Sequence, residues 1–264
     1  MAAVDGRRGI EVSDGALIPA RDDKAGFSAW RISFFGAIGL LIALPLISPK
    51  PFWDILRFIP DGVLRTFQVT VFSIVFALII GLFTGLARIS RIMVLNRIAT
   101  VYVEVVRGIP LLVQLYYIYY ALGNFVQVPR LTAAIIAMSI CYGAYLGEIF
   151  RAGIQAIPKG QMEAALALGM SRTQALSRVI LPQTFRIILP PVGNEFIALL
   201  KDSSLVSILA VADLLRRGRE YAARTFEYFE AYTIVALVYL VLTLFFSKLV
   251  AIMEERLGSH HRSG

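Results

Sequence analysis

Residues 163–182 read EAALALGMSRTQALSRVILP and interrupt a chain that is otherwise apolar enough for lipid. Glu163 opens a run of good helix formers, in which Ala164, Ala165 and Ala167 keep the helix slim. The expected helix covers 161–168, after a turn at 158–160. Gly169 stands where a left-handed C-cap belongs. Ser171 then starts a second helix with Gln174 three residues on, the spacing of a capping box. Pro182 is expected to end that helix. Residues 151–186 therefore read as a polar helix–turn–helix. A slim helix of this kind either seats in a groove on another protein or packs as an amphipathic hairpin on its own neighbours, and helix chemistry does not choose between the two.

The surrounding sequence explains why such an insert stands out. The chain has 264 residues, of which 58% are hydrophobic and 17% charged. Soluble domains carry about 45–50% apolar and roughly 25% charged residues. Polarity here is confined to blocks, which marks an integral membrane protein. The formal net charge of +8 fits Lys and Arg flanking membrane spans. No interleaved basic–aromatic platform occurs, which sets nucleic-acid binding aside. The single cysteine, Cys141, lies in an apolar run, has no partner for an intrachain disulfide, and reads as a small packing residue. The two histidines, His260 and His261, fall in the polar tail 258–264, which argues against a histidine-based metal or catalytic site. The apolar run begins only after Arg31 and no small-residue cleavage site follows it, so residues 1–31 read as a poorly ordered polar tail rather than a signal peptide.

Windows free of charge fall at 32–49, 66–87, 108–129, 131–147 and 231–247, the third entered from the segment before it. Each approaches the 17–25 residues that a span requires. A sixth candidate, 187–212, is apolar but interrupted by Glu195, Lys201 and Asp202. Charge at membrane depth is costly and tends to be functional. The expectation is an all-α, polytopic membrane protein of about six transmembrane helices.

Orientation follows from the positive-inside rule. With the N-terminus inside, the inner segments carry 16 Lys and Arg and the outer ones 8. One segment opposes this choice, because Arg216, Arg217, Arg219 and Arg224 then lie outside. Gly81 and Gly85 form a GxxxG pair in the second window. Such a pair is a packing face within the subunit, a dimer contact, or simply the glycine content usual in membrane helices.

Longer motifs carry a resemblance. Glu163-Ala164-Ala165, Gly169 and Val179-Ile180-Leu181-Pro182 resemble the EAA loop of ATP-binding cassette importer permeases, with Val179 where that family usually has Ile. Glu104-Val105-Val106-Arg107-Gly108-Ile109-Pro110-Leu111-Leu112-Val113-Gln114 resembles the E-x-x-R-G-x-P-L-L-x-Q of the polar amino acid branch, the histidine, glutamine, arginine and opine permeases. Ala144-Tyr145 through Ile154 resembles A-Y-x-x-E-x-x-R-x-G-I, Gly160-Gln161-Met162-Glu163-Ala164 the G-Q-x-E-A, and Lys201-Asp202-Ser203-Ser204-Leu205 the K-D-T-S-L, with Ser203 in place of Thr.

The resemblance covers about 62–257 and implies a five-helix type I importer core, with 32–49 as an extra N-terminal helix. It implies that the loop is a cytoplasmic coupling helix, with Gly160, Gln161, Glu163, Ala164, Ala165, Gly169, Leu181 and Pro182 serving contact with an ATPase. The implied partners are two ATPase subunits, a second permease subunit (identical or related), an extracytoplasmic amino acid-binding protein, membrane lipid and the amino acid itself. The implied place is the bacterial cytoplasmic (inner) membrane, with both termini cytoplasmic. No G-x-x-x-x-G-K-[ST] occurs, so ATP and Mg are expected on the partner ATPase and the chain itself is not expected to be an enzyme.

Moving a zwitterion through lipid requires polar groups near mid-membrane. Asn194, Glu195, Lys201, Asp202 and Ser203 are the candidates in the sixth window. A rise of about 1.5 Å per residue puts Lys201 roughly 20 Å into the bilayer. Pro190 and Pro191 loosen the same segment near its start. Lys201 and Asp202 are adjacent, so on a helix they diverge, and each needs another partner: substrate, a neighbouring span, a second subunit, or a gating or packing ion pair. Glu104 and Glu148 are further pathway candidates, although pairing with Arg107 and Arg151 at i+3 is the favoured reading for both. These mixed charges do not select acidic, basic or neutral substrates.

Two rival classes fit less of the sequence. A secondary transporter or channel suits the interrupted window, but no matching pair of interrupted spans occurs in the two halves. An intramembrane enzyme would need a convergent acid–base or metal set, and the sequence offers neither core histidine nor carboxylates at metal spacing.

Overall fold

The computed structural model describes residues 28–258. Most of the expected N-terminal tail (1–27) and residues 259–264, with His260 and His261, lie outside the described residues. Among the described residues the regular structure is helical, with no strand.

Ala29–Ile47 (α1) is the N-terminal apolar helix, capped by the Ser28 hydroxyl. Pro49–Phe58 (α2) is short and amphipathic. Pro60–Arg88 (α3) is a long span that contains the second window. Met93–Gly108 (α4) and Leu111–Tyr116 (α5) follow, the latter running through π and 3-10 turns to Asn124. Arg130–Gln155 (α6) is the most buried span. Lys159–Ala167 (α7), Arg172–Ala175 (α8) and Leu181–Asp202 (α9) carry the polar insert and the charged window. Leu214–Thr225 (α10) is amphipathic, and Tyr228–Gly258 (α11) is the last span.

Among the described residues four helices, α1, α3, α6 and α11, are long and apolar enough to cross a membrane, and the bent pair α4–α5 adds a fifth if the two helices form one span. The count of six is reached only with α9, which is long enough but carries Arg186, Glu195, Lys201 and Asp202.

The window 108–129 is entered from the preceding helix, as expected, but it is not one straight helix. The apolar segment is two helices, Met93–Gly108 and Leu111–Asn124, that meet at 101°, the geometry of a broken span or a re-entrant loop. Pro110 is the cause, since it donates no hydrogen bond and holds the residue before it extended, with Ile109 at φ −105°, ψ 127°. The carbonyl that Pro110 would have bonded belongs to Val106. Gln114 takes over, its Nε2 donating to Val106 O and Ile109 O at 2.8 Å each.

A second correction concerns Pro182, which ends nothing. Helix runs without a break from Arg172 to Asp202, through a π segment at Leu176–Ile180. A π-turn widens the ladder just where the proline lacks its donor, so the chain continues. The rod ends at Ser203, where the backbone tightens into a 3-10 turn through Leu209.

The main core lies between α3, α6 and α9, centred on Val69, Ala77, Met138, Leu146 and Leu199. Close approach of α3 and α6 depends on glycine from both sides. A Cβ on Gly81 would lie 2.6 Å from Cβ of Leu146, and one on Gly147 2.8 Å from Cγ2 of Thr84. The GxxxG pair is therefore a packing face within the subunit.

A second core, built from Phe52, Ile55, Leu214, Tyr221 and Ile234, joins α2, α10 and α11 at the end opposite the polar insert. The arginine-rich segment sits there on α10. Arg216 pairs with Glu220 at 2.8 Å, Arg217 with Glu220 and Asp61, and Arg217 and Arg224 each lie 5.5 Å from the ring of Phe58. At the insert end, Glu254 and Leu257 of α11 line a cavity with the turn before α7, while Trp30 of α1 donates to Leu244 O, midway along α11, at 2.9 Å. The C-terminal end of the described chain thus lies on the side of the insert.

Candidate functional site

The polar insert is built by local bonds. Gly169 adopts φ +82°. Its N–H bonds to Leu166 O at 3.0 Å, and that of Met170 to Ala165 O at 3.2 Å, the paired bonds of a Schellman motif. Ser171 accepts from Gln174 N at 3.2 Å while Gln174 Oε1 accepts from Ser171 N at 2.9 Å, completing the capping box. Only Ala165 of α7 is buried; Gln161, Glu163, Ala164, Leu166 and Leu168 are exposed. The helix therefore presents a slim, partly apolar face outward. One side-chain bond ties it back, from Gln183 Nε2 on α9 to Gln161 Oε1 at 3.4 Å. Leu181 and Pro182 lie inside the continuous rod, and Gly160 stands in the first turn of α7.

A second feature sits at the far end of that rod. The bend at Gly108–Leu111 exposes a cavity of about 440 Å3, closed on the other sides by Tyr142 and Tyr145 of α6 and by Glu195, Ala198 and Asp202 of α9. Arg107, the last side chain before the bend, lines it, with its guanidinium 5.0 Å from the ring of Tyr145. Tyr142 donates its hydroxyl hydrogen to Asp202 Oδ2 at 2.8 Å. Glu195 and Asp202 are seven residues apart, two helical turns, and so share one face of α9.

Glu195 and Asp202 are thus brought together. The other pathway candidates are not. Lys201 is exposed and does not line the cavity, as adjacency to Asp202 on a helix dictates. Asn194 is exposed on another face. Ser203 is buried, its hydroxyl donating to Leu200 O at 2.7 Å. Glu148 pairs with Arg151, as expected at i+3, and also with Arg88 at the end of α3. That triad pins the insert-side ends of α3 and α6 and holds the Glu148 carboxyl away from the cavity. The expected Glu104–Arg107 pair is absent among the described residues, because Glu104 is exposed on α4 while Arg107 turns to Tyr145.

Arg107, Tyr142 and Tyr145 were not among the expected pathway residues. A signal for Arg107 existed, since it directly precedes a Gly-x-Pro break, where a helix must open. The two tyrosines carry no such mark. Among the described residues no group of His, Cys, Asp and Glu could hold a metal ion.

Comparison with known proteins follows the same lines. Residues 77–259 match the family described as binding-protein-dependent transport system inner membrane component. The chain is 40% identical over 229 residues to the L-cystine transport system permease protein TcyB of Bacillus subtilis, covering 84% of this chain and 94% of that one. It is 38% identical over 208 residues to the glutamine transport system permease protein GlnP of Escherichia coli, covering 78% and 95%. A crystal structure of an amino acid ABC transporter with histidines superposes with a TM-score of 0.73 at 43% identity, covering 77% and 95%. The inward-facing methionine ABC transporter MetNI shares the fold at a TM-score of 0.64 and 20% identity, covering 80% and 98%.

Proposed function

The chain belongs to the family of binding-protein-dependent transport system inner membrane components, and from that membership we propose that it is the permease subunit of an ATP-driven importer of polar amino acids. Relatives that carry L-cystine and glutamine transport names support the substrate class. The observation that carries the reading is the unbroken helical rod from Arg172 to Asp202. At about 1.5 Å per residue it spans roughly 45 Å. One end holds the outward-facing insert and the other closes the cavity, so a movement of the insert reaches Glu195 and Asp202 along one continuous helix, which can bend at Pro190 and Pro191.

In this reading α7 seats on an ATPase subunit, with Gly160, Gln161, Glu163, Ala164, Ala165 and Gly169 forming or shaping the contact and Leu181 and Pro182 passing it on. Two ATPases hold ATP and Mg; this chain supplies neither site. A second permease subunit completes the path, and a binding protein delivers the amino acid at the α10 end. The protein lies in the bacterial inner membrane with both termini cytoplasmic, the side of the insert. Residues 62–257 form the transport domain and 32–49 the additional N-terminal span. ATP binding closes the ATPases, the insert moves, and the cavity re-faces by alternating access.

Gly169→Asp tests the reading. An L side chain at φ +82° is strained, so the cap between α7 and α8 distorts while the spans are untouched. The variant is expected to insert and retain ATP hydrolysis but to lose ATP-driven amino acid uptake in proteoliposomes. Uptake near the wild-type rate would defeat the coupling role.

A further inference from the structure

The turn 89–92 between α3 and α4, the end of α6 and the start of α8 border a second concave site, of about 700 Å3. Arg88, Arg91 and Arg172 line it, together with Ser90, Asn96 and Thr173, and no Asp or Glu does. Arg88 shares Glu148 with Arg151, so that triad keeps a net positive charge. Arg91 and Arg172 are exposed and make no ion pair among the described residues. The site is therefore basic, and its charge is uncompensated.

An apolar furrow of about 450 Å3 leads away from it between α3 and α4. Leu86 and Ser90 line both spaces, so the two are continuous. Phe83, Ala87, Leu95 and Ile98 wall the furrow, and Phe83, Leu95 and Ile98 are exposed. Depth follows from the sequence of α3. Its charge-free run 66–87 covers about 33 Å at about 1.5 Å per residue, close to a hydrocarbon core of about 30 Å. Arg88 follows directly, so the basic site stands at the level of the headgroups and the furrow at that of the acyl chains.

We infer that this site binds one anionic phospholipid, with its phosphate held by Arg91 and Arg172 beside Arg88 and one acyl chain lying in the furrow. Guanidinium groups match phosphate oxygens through paired N–H donors, and basic pockets between helices at the membrane face recognise anionic headgroups. A soluble phosphate would satisfy the arginines but leave the furrow unused. Arg91 belongs to the turn after α3 and Arg172 to the insert, so the bound lipid would join the insert to the spans. The inference goes beyond the transport reading and is tested without it.

The experiment uses the full permease–ATPase complex in phosphatidylcholine nanodiscs with trace phosphatidylglycerol spin-labelled on its acyl chain. The immobilised fraction is read by electron paramagnetic resonance and compared with that of labelled phosphatidylcholine. Phosphatidylglycerol is expected to associate roughly tenfold more strongly, the scale of two arginines at an anionic headgroup. Arg91→Gln with Arg172→Gln should remove that preference, while Arg91→Lys with Arg172→Lys should keep most of it. Arg97→Gln with Arg178→Gln takes the same charge from exposed positions outside the cavity and should leave the preference in place. Ala87→Trp, which fills the furrow at constant charge, should lower it.

Equal association of the two lipids with the wild-type complex overturns the proposal. So does an equal loss in both glutamine pairs, which would assign the preference to the general field of the surface. Displacement of the labelled lipid to the phosphatidylcholine level by millimolar inorganic phosphate makes the ligand a soluble phosphate and overturns the lipid. An immobilised fraction unchanged in Ala87→Trp overturns the furrow as the acyl-chain seat.

Discussion

Gln114 Nε2 donates to the carbonyl oxygen of Val106 at 2.8 Å, replacing the hydrogen bond that Pro110 cannot make. The same nitrogen donates its second hydrogen to Ile109 O, so one side-chain amide satisfies two of the carbonyls released by the break between α4 and α5. That break forms the wall of the cavity carrying Arg107. Gln114→Met keeps the volume and removes both bonds. It is expected to cost about 1–3 kcal/mol for each carbonyl left unpaired, to lower the thermal midpoint of the purified complex, and to weaken amino acid binding with it. A midpoint and affinity equal to wild type would show that the bend does not depend on Gln114.

The contact between α3 and α6 is set by backbone approach. A Cβ on Gly81 would sit 2.6 Å from Cβ of Leu146 and 3.0 Å from the backbone nitrogen of Gly147, with no flexible side-chain end to yield. Gly81→Val is expected to lose about 1–3 kcal/mol through overpacking, seen as aggregation in fluorescence-detected size exclusion. Gly39→Ala is the control, because nothing lies within 4 Å of a Cβ there. Similar behaviour of the two variants would contradict the close-packed interface.

The bond from Gln183 to Gln161 is the one side-chain hydrogen bond found between α7 and α9 among the described residues. At 3.4 Å it is weak and exposed, so its loss should leave folding intact. Gln183→Ala is expected to lower amino acid uptake per ATP hydrolysed two- to fivefold, roughly the effect of 0.5–1 kcal/mol, with ATPase association unchanged. Uptake and hydrolysis that fall in the same proportion would instead indicate loss of ATPase docking.

Asp213 caps α10 at the end away from the insert, accepting from Leu215 N and Arg216 N at 3.2 Å each. Burial pushes its carboxyl up to about 7, against the pull of those N–H groups and the Arg216 guanidinium. The folded value thus stands above the ordinary carboxylate range near about 4. Its contribution to stability is complete below about 4 and is lost as pH rises through about 7. The thermal midpoint should therefore fall between about pH 4 and about pH 7 and level off above, and Asp213→Asn, which still caps the helix, should flatten that slope. An unchanged slope in the variant would assign the pH dependence to other groups.

The sequence alone determined where most apolar runs of this chain lie and the caps of the polar insert. Apolar runs are written in consecutive residues. So are the left-handed cap at Gly169 and the capping box of Ser171 and Gln174, because each bond closes within five residues. The break at Pro110 was equally local, although its consequence, a wall for a cavity, was not.

Tertiary structure decided which charges meet. Arg107 leaves Glu104 for Tyr145, 38 residues away in sequence, and Asp202 meets Tyr142 across 60 residues. Pro182 ends no helix because a π segment ahead of it realigns the ladder. Lys201 and Asp202 are inseparable in the sequence, yet helical geometry sends only Asp202 into the cavity. The physical reason is common to these cases. Local bonds depend on spacing, which the sequence states directly, whereas the pairing of groups on different helices depends on how closely α3, α6 and α9 pack, and glycine contacts such as Gly81 on Leu146 set that distance.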